Sequence, residues 1–165
     1  MPGRSRNKET LEIGLLARDI MSKDPVTVPL EMTVSQLVHS FHESQISGAP
    51  VTDAAGELVG VVSQSDIIRV KASVDDAMED RSAFFNSLEA FAHLGDTPDE
   101  IYDELRVADI CSSTVYTAHP ETPVMELAEM LVKYQVHRVI VVEGSIPVGL
   151  VSSMDILNGI VSLRD

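Results

Sequence analysis

The chain has 165 residues, of which 44% are hydrophobic and 23% are charged, so its composition is ordinary for a globular protein. Its formal net charge of −14 disfavours nucleic acid as a partner, because a negative field repels phosphate backbones. It has one cysteine, no secretory signal at its amino terminus and no apolar stretch near the roughly twenty residues of a membrane span, so we expect a cytoplasmic protein with no disulfide and no membrane association.

After an N-terminal segment at residues 1–17, residues 18–70 form a first unit of alternating short elements. Hydrophobic spacing, flanking prolines and a turn that contains glycine predict the order strand, helix, strand, strand, helix. Thr33 or Ser35 is expected to cap the first helix, and Ser63 the second. The five predicted elements lie at residues 26–28, 34–41, 49–52, 58–62 and 63–70.

Residues 71–106 form an acidic insert, which holds ten carboxylates and three of the chain's four phenylalanines. Phe84, Leu88 and Phe91 fall on one helical stripe, and this spacing predicts a helical hairpin that packs on the core. The alternative is a docking surface for a partner, or a lid over a cleft. The acidic residues do not have the spacing of a known metal-binding loop, so a solvated face is the preferred interpretation.

Residues 107–163 repeat the order of the first unit. The segment Gly60–Ile67 (GVVSQSDI) returns as Gly149–Ile156 (GLVSSMDI). Matching residues upstream lie 90 positions apart and those in this segment 89 apart, so the single deletion falls in the turn of a predicted hairpin. A unit of about fifty residues buries too little surface to be stable alone, so we expect the two copies to pack on each other.

Each copy ends in a Ser-x-x-Asp motif, formed by Ser63 with Asp66 and by Ser152 with Asp155. The first turn of a helix has unpaired N–H groups that favour an anion, and a carboxylate one turn along can accept hydrogen bonds from vicinal hydroxyls such as those of ribose. A glycine three residues before each serine would let a ligand approach the strand closely. The alternative is a capped helix start that binds no ligand.

The two units resemble a tandem pair of CBS domains, the family named after cystathionine β-synthase. The resemblance rests on Asp-Ile-Met/Cys-Ser at the start of each copy, from Asp19 and from Asp109, and on the closing Gly-hydrophobic-Val-Ser-x-x-Asp-Ile. It implies an α/β fold of two β-α-β-β-α repeats related by pseudo-two-fold symmetry, with the helical insert between them. It further implies two three-stranded sheets that face two clefts, and pairing of two chains into a homodimer.

The resemblance also implies that an adenosyl ligand occupies the clefts, either an adenine nucleotide (AMP, ADP or ATP) or S-adenosylmethionine. In such pairs the motif aspartate commonly holds the ribose, the motif serine contacts ribose or phosphate, and the start of the first hairpin strand walls the base. The residues so implied are Thr27, Gly48, Ala49, Pro50, Ser63, Asp66, Thr117, His137, Arg138, Ser152 and Asp155.

The copies diverge where phosphate is expected, since His137-Arg138 in the second copy corresponds to Ser47-Gly48 in the first. Arginine presents a planar fork to phosphate and histidine adds a donor. The pair resembles the phosphate-contacting residues of the γ-subunit of AMP-activated kinase. We therefore expect unequal clefts, of which the one with His137-Arg138 favours a charged nucleotide. The alternative is a solvated pair at the edge of a strand.

The preferred hypothesis is a regulatory nucleotide sensor that requires no cofactor and whose conformational change is read by a regulated protein partner. The alternative is a ligand-free dimerisation or docking module. An enzyme is not expected, because the sequence has no nucleophile–base pair, no metal-ligand spacing and no glycine-rich loop for phosphates. For the same reason no catalytic or metal-binding residue is assigned.

Overall fold

The structure, a computed structural model, describes residues 14–76 and 103–164, with the side chains of residues 73–76 left out. The predicted helical stripe of the acidic insert lies outside the described residues. The helices are α1 (Ala17–Ile20), α2 (Val34–Ser44), α3 (Gln64–Asp76), α4 (Val107–Ile110), α5 (Val124–Tyr134) and α6 (Ser153–Ser162). The strands are β1 (Ser22–Lys23), β2 (Val28–Pro29), β3 (Gly48–Thr52), β4 (Leu58–Ser63), β5 (Thr117–Ala118), β6 (Arg138–Glu143) and β7 (Ile146–Ser152).

Both repeats have the predicted β-α-β-β-α order, so the predicted α/β fold is confirmed. In the first repeat β2 runs parallel to β3, and β3 pairs antiparallel with β4. In the second repeat β5, β6 and β7 pair in the same way. The first sheet has three strands as the resemblance implied, but the second has four, because β1 from the start of the chain pairs antiparallel with β7.

The first segment of each repeat packs into the core of the other repeat. The N–H of Ala17 in α1 donates to the carbonyl of Thr122 at 2.8 Å, and the N–H of Val107 in α4 donates to the carbonyl of Met32 at 2.8 Å. Both Ala17 and Val107 are fully buried, the first in the core of the second repeat and the second in the core of the first. Separation of the repeats would therefore open both cores.

The glycines before the motifs serve this exchange, and the closeness of a ligand to them stays a prediction. A Cβ at Gly60 would lie 2.7 Å from the carbonyl oxygen of Ser112, and one at Gly149 would lie 2.5 Å from the sulfur of Met21. Ser112 and Val61 exchange two backbone hydrogen bonds at 2.8 and 2.9 Å across this contact. At Gly60 the neighbour is backbone, so only glycine leaves room there, whereas at Gly149 it is a flexible methionine side chain that can shift.

Helix ends place the segments that follow them. Thr33 caps α2 by accepting the N–H of Gln36 at 3.1 Å, which decides between the two predicted caps. Gln45 and Gln135 close α2 and α5 with left-handed backbones, at φ of 52° and 54°. This reversal turns the chain sharply into β3 and β6, so that residues 46–48 and 136–138 leave the helices in the same way.

Some boundaries differ from the prediction. Strand β2 begins at Val28 instead of residue 26, and α3 continues to Asp76, beyond the predicted end of the unit at residue 70. The helix extends because nothing in its sequence after Val70 breaks it: the next residues contain neither glycine nor proline. None of the described helices is both long enough and apolar enough to cross a membrane.

Candidate functional site

A cleft of about 620 Å³ lies between the two sheets. This volume is in the range of small-molecule sites, which is roughly 300–1,000 Å³. The first repeat supplies residues 47–50 of β3 and residues 61–63 of β4. The second repeat supplies residues 135–138, together with Ile140 and Leu150. The sequence could not place this cleft, because it forms only where the two repeats meet.

The cleft straddles the pseudo-two-fold axis but is not symmetric about it. Equivalent residues from both repeats line it, for example Ser47 with His137 and Gly48 with Arg138. Ala49, Val62 and Ser63 line it as well, whereas their counterparts in the second repeat do not. The cleft therefore reaches the Ser-x-x-Asp motif of the first repeat but not that of the second.

The first motif forms a tight corner where β4 passes into α3. The backbone N–H and the hydroxyl of Ser63 both donate to Oδ2 of Asp66, at 2.8 and 3.0 Å. The other carboxylate oxygen, Oδ1, accepts a hydrogen bond from the guanidinium of Arg69 at 3.1 Å. The Asp66 side chain is only 12% exposed. Ser63 lines the cleft, and Asp66 lies one turn behind it without forming part of the wall.

The second motif has a similar corner with two differences. The N–H and the hydroxyl of Ser152 each donate to Oδ2 of Asp155 at 2.7 Å, and the N–H of Asp155 donates to the Ser152 hydroxyl at 3.1 Å. Within the described residues, Oδ1 of Asp155 accepts no hydrogen bond. Ser152 and Asp155 do not line the cleft. Both aspartates thus cap their own helices, as the ligand-free alternative requires, and differ in the second oxygen.

His137 and Arg138 lie at the beginning of β6, where both side chains are exposed and line the cleft. Neither forms an ion pair with any residue that the structure describes. The structure places them in the same cleft as Ser63, which the sequence left open. In a chain of net charge −14, an unpaired arginine at a cleft wall makes a local positive spot.

The polar residues predicted beside the base are elsewhere. Thr27 precedes β2 and Thr117 begins β5, and both side chains are exposed and absent from the cleft wall. The predicted wall residues Gly48, Ala49 and Pro50 do line it. Sequence reasoning missed the apolar wall residues of β4 and β7 together with the helix end, namely Val61, Val62, Leu150 and Gln135.

The single cysteine is a half-buried packing residue. Cys111 follows α4 and packs against the core of the first repeat. Burial raises the pKa of its thiol, and the charges of Asp66 and Asp109 raise it further, while a backbone hydrogen bond acts in the opposite direction. The thiol therefore stays protonated near neutrality. Among the described residues, no group of three His, Cys, Asp or Glu side chains is arranged to hold a metal ion.

Known proteins resemble the chain along most of its length. A protein of Methanocaldococcus jannaschii described as uncharacterized is 27% identical over 159 residues, which cover 89% of this chain and 92% of that one. The gamma-3 subunit of 5′-AMP-activated protein kinase from Sus scrofa is 28% identical over 122 residues, which cover 73% of this chain and 20% of the subunit. The chain corresponds to only 15% of another relative, the A-adding tRNA nucleotidyltransferase of Aquifex aeolicus.

Solved structures share the fold. The CBS domain of a membrane protein from Sphaerobacter thermophilus superimposes with a TM-score of 0.65 at 29% identity, over 87% of this chain and 86% of that one. The CBS domain pair of protein MJ0100, in complex with 5′-methylthioadenosine and S-adenosyl-L-methionine, superimposes with a TM-score of 0.65 at 25% identity, over 87% and 98%. The model of the CBS domain matches residues 17–73 and again residues 107–162. The chain therefore belongs to the CBS domain family and carries two copies of the domain.

Proposed function

We propose that the chain is a regulatory module that binds an adenosyl ligand in the cleft between its two CBS domains. The observation that carries this proposal is that Ser63 lines one cleft of about 620 Å³ together with His137 and Arg138, neither of which forms an ion pair within the described residues. Two relatives support the ligand class: the CBS pair of MJ0100 is a complex with 5′-methylthioadenosine and S-adenosyl-L-methionine, and the gamma-3 subunit belongs to an AMP-activated kinase.

The cleft wall supplies two of the three environments that an adenine nucleotide requires, and Asp66 behind the wall is proposed to supply the third. Ala49, Pro50 and Val62 face Ile140 and Leu150 as an apolar slot for the base. In our proposal the carboxylate behind Ser63 accepts the ribose hydroxyls, and the His137-Arg138 pair binds phosphate. A micromolar site needs about 8 kcal/mol. Hydrogen bonds to charged groups contribute about 1.5–3 kcal/mol each, so ribose and phosphate contacts together with the slot are sufficient.

The second motif is proposed to serve a site of different chemistry. Across the pseudo-two-fold axis Ser152 and Asp155 have Ser47 and Gly48 in place of the cationic pair. Such a site suits a ligand without phosphate, such as a nucleoside or S-adenosylmethionine. ADP and ATP remain candidates for the first cleft, because a longer phosphate chain would extend past Arg138 toward solvent.

A second copy of the chain is proposed to cover the outer face of α6. Met154, Leu157 and Val161 on this face are each more than half exposed. Asp155, the one acid of the helix, is half-buried and bonded to Ser152. In a chain of net charge −14, an uncharged apolar face is a favourable surface for contact with a second copy. A two-fold dimer through α6 would bury the same residues on both chains.

The proposed output is regulatory and not catalytic. CBS domain pairs are generally regulatory modules, and ligand binding here would change the disposition of the two domains or of the two chains. A protein partner would read this change, which requires that the ligand bind the two arrangements with different affinity. No cofactor enters this scheme, and a cytoplasmic location remains a prediction.

Isothermal titration calorimetry tests the proposal against the ligand-free alternative, which the capping role of both aspartates favours. AMP, adenosine and S-adenosylmethionine are titrated separately into the wild-type chain and into Asp66→Asn, which keeps a capping oxygen but loses the charge. The proposal predicts saturable binding of at least one ligand and at least a tenfold loss in the variant. Absence of binding by all three ligands at millimolar concentration would leave the chain as an assembly module.

A further inference from the structure

We propose that Arg69 is a selectivity residue that weakens the sugar site of the first repeat relative to that of the second. This inference rests on the proposed function, because it concerns which of the two aspartates is available to a ligand. It goes beyond that function by predicting which of the two aspartates holds a sugar less strongly. The juxtaposition that carries it is the contact between the Arg69 guanidinium and the outer oxygen of Asp66.

The two aspartates are alike at one oxygen and different at the other. Ser63 and Ser152 occupy Oδ2 of their aspartates with the same pair of hydrogen bonds, within 0.3 Å of each other in length, 2.8 and 3.0 Å against 2.7 and 2.7 Å. Arg69 donates to Oδ1 of Asp66 at 3.1 Å. The position equivalent to Arg69 in the second repeat is Asn158, 89 residues further on, and among the described residues nothing donates to Oδ1 of Asp155.

Arg69 limits how many sugar hydroxyls the first aspartate can accept. Each carboxylate oxygen accepts about two hydrogen bonds, so Ser63 fills Oδ2 of Asp66 and Arg69 takes one of the two sites on Oδ1. A pair of vicinal hydroxyls that both donate to Oδ1 must therefore displace the guanidinium, which is 73% exposed, from a carboxylate that is only 12% exposed. The ion pair is therefore a removable latch on the first site, and the second site has none.

The latch has a modest, measurable effect. Removal of a partly exposed ion pair of this kind changes an equilibrium by about two- to fivefold. The latch is also electrostatic, so added salt weakens it while leaving a neutral hydrogen-bond acceptor unchanged. Adenosine is the suitable probe, because it carries the sugar without a phosphate that could itself attract Arg69.

The experiment isolates each site with an Asp→Asn change in the other one, and titrates adenosine into the full chain by calorimetry. In the Asp155→Asn background, Arg69→Asn copies the second repeat into the first and is expected to tighten binding about two- to fivefold. In the Asp66→Asn background, Asn158→Arg installs the latch in the second repeat and is expected to weaken binding by a similar factor. An unchanged or weaker affinity in Arg69→Asn overturns the inference.

A salt titration gives a second readout that needs no substitution at the latch. In the Asp155→Asn background, adenosine should bind more tightly as sodium chloride is raised from about 0.01 M to about 1 M, which shortens the Debye length from about 30 Å to about 3 Å. This gain in affinity should vanish in Arg69→Asn. A salt response that is the same with and without Arg69 overturns the latch. The double variant Asp66→Asn/Asp155→Asn tests the proposed function separately. If it loses all adenosine binding while Arg69→Asn has no effect, the proposed function stands and only this inference is removed. Absence of adenosine binding by the wild-type chain removes this inference, and absence of binding by AMP and S-adenosylmethionine as well removes both.

Discussion

The backbone carbonyl of His137 accepts the N–H of Ser153 at 3.1 Å, so the residue at the cleft wall also fixes the first turn of α6. The first repeat repeats this relationship, since Ser47 accepts the N–H of Gln64 at 2.9 Å. Each wall segment is thereby tied to the Ser-x-x-Asp corner of its own repeat. A ligand that displaces His137-Arg138 would therefore move the start of a helix, which is the coupling that a regulatory module needs.

Replacement of Arg138 by alanine should weaken AMP binding by about tenfold to a hundredfold and leave adenosine within about twofold. The reason is that a hydrogen bond to a charged group contributes about 1.5–3 kcal/mol to the binding of AMP. Adenosine has no phosphate, so it makes no such contact with Arg138 and loses nothing when Arg138 is replaced. Calorimetry with both ligands gives the comparison. Lys23→Ala, an exposed cation on β1 away from the cleft wall, is the control and should change neither affinity. Equal losses for AMP and adenosine would assign Arg138 a structural role.

Replacement of Gly60 by alanine should lower the free energy of unfolding by about 1–3 kcal/mol, because the new Cβ meets backbone and overpacks the contact between repeats. Its nearest neighbour would be the carbonyl oxygen of Ser112, at 2.7 Å. Urea unfolding followed by circular dichroism measures the change. Gly14→Ala is the matched control, since nothing lies within 4 Å of a Cβ at that position. Equal stability of the two variants would contradict the account of the exchanged segments.

Replacement of Leu157 by aspartate should convert the proposed dimer into a monomer, because a charge would be buried on both sides of a two-fold contact. Size-exclusion chromatography with light scattering reports the mass directly. Ile146→Asp is the control, because Ile146 is also exposed, at 43% against 57% for Leu157, but lies in β7 instead of α6. A mass that Leu157→Asp leaves unchanged would remove α6 as the dimer interface.

Alkylation of Cys111 by iodoacetamide should be much slower in the folded chain than in urea at a pH near the ordinary thiol pKa. Burial raises the pKa of the folded thiol, so less thiolate is present than in the unfolded chain at the same pH. By linkage, this thiol contributes stability below its unfolded pKa, and the contribution is lost as pH rises toward the folded pKa. Mass spectrometry of timed samples measures the rate. Equal rates in both states would show that the thiol is neither buried nor shifted.

The sequence predicted the repeated elements well because the two copies check each other. The closing motifs and the hairpins recur at a nearly constant offset, and the one deletion falls at the turn between Asp53 and Leu58, where a hairpin tolerates it. Alternation and helical spacing are local signals, so the order of strands and helices follows from them. Boundaries moved by a few residues where no proline or glycine fixes an end, as in α3.

The sequence did not predict the features that depend on tertiary contacts between the repeats. Nothing in the local sequence indicates that Gly60 makes room for Ser112, which is about fifty residues away in sequence and belongs to the other repeat. The exchange of first segments leaves no periodic signal, because it is a choice of partner and not of local structure. For the same reason the sequence does not predict which cleft His137 and Arg138 line, because that depends on how the two repeats pack together.

The central claim is that an adenine nucleotide binds between the first-repeat motif and the cationic pair of the second. Amide chemical-shift mapping of the uniformly labelled chain tests it most directly as AMP is added. The account predicts that the amides of Gly48, Ser63 and Arg138 shift together and saturate with one micromolar dissociation constant. Saturation of the protein with AMP while these three amides stay unmoved would contradict it.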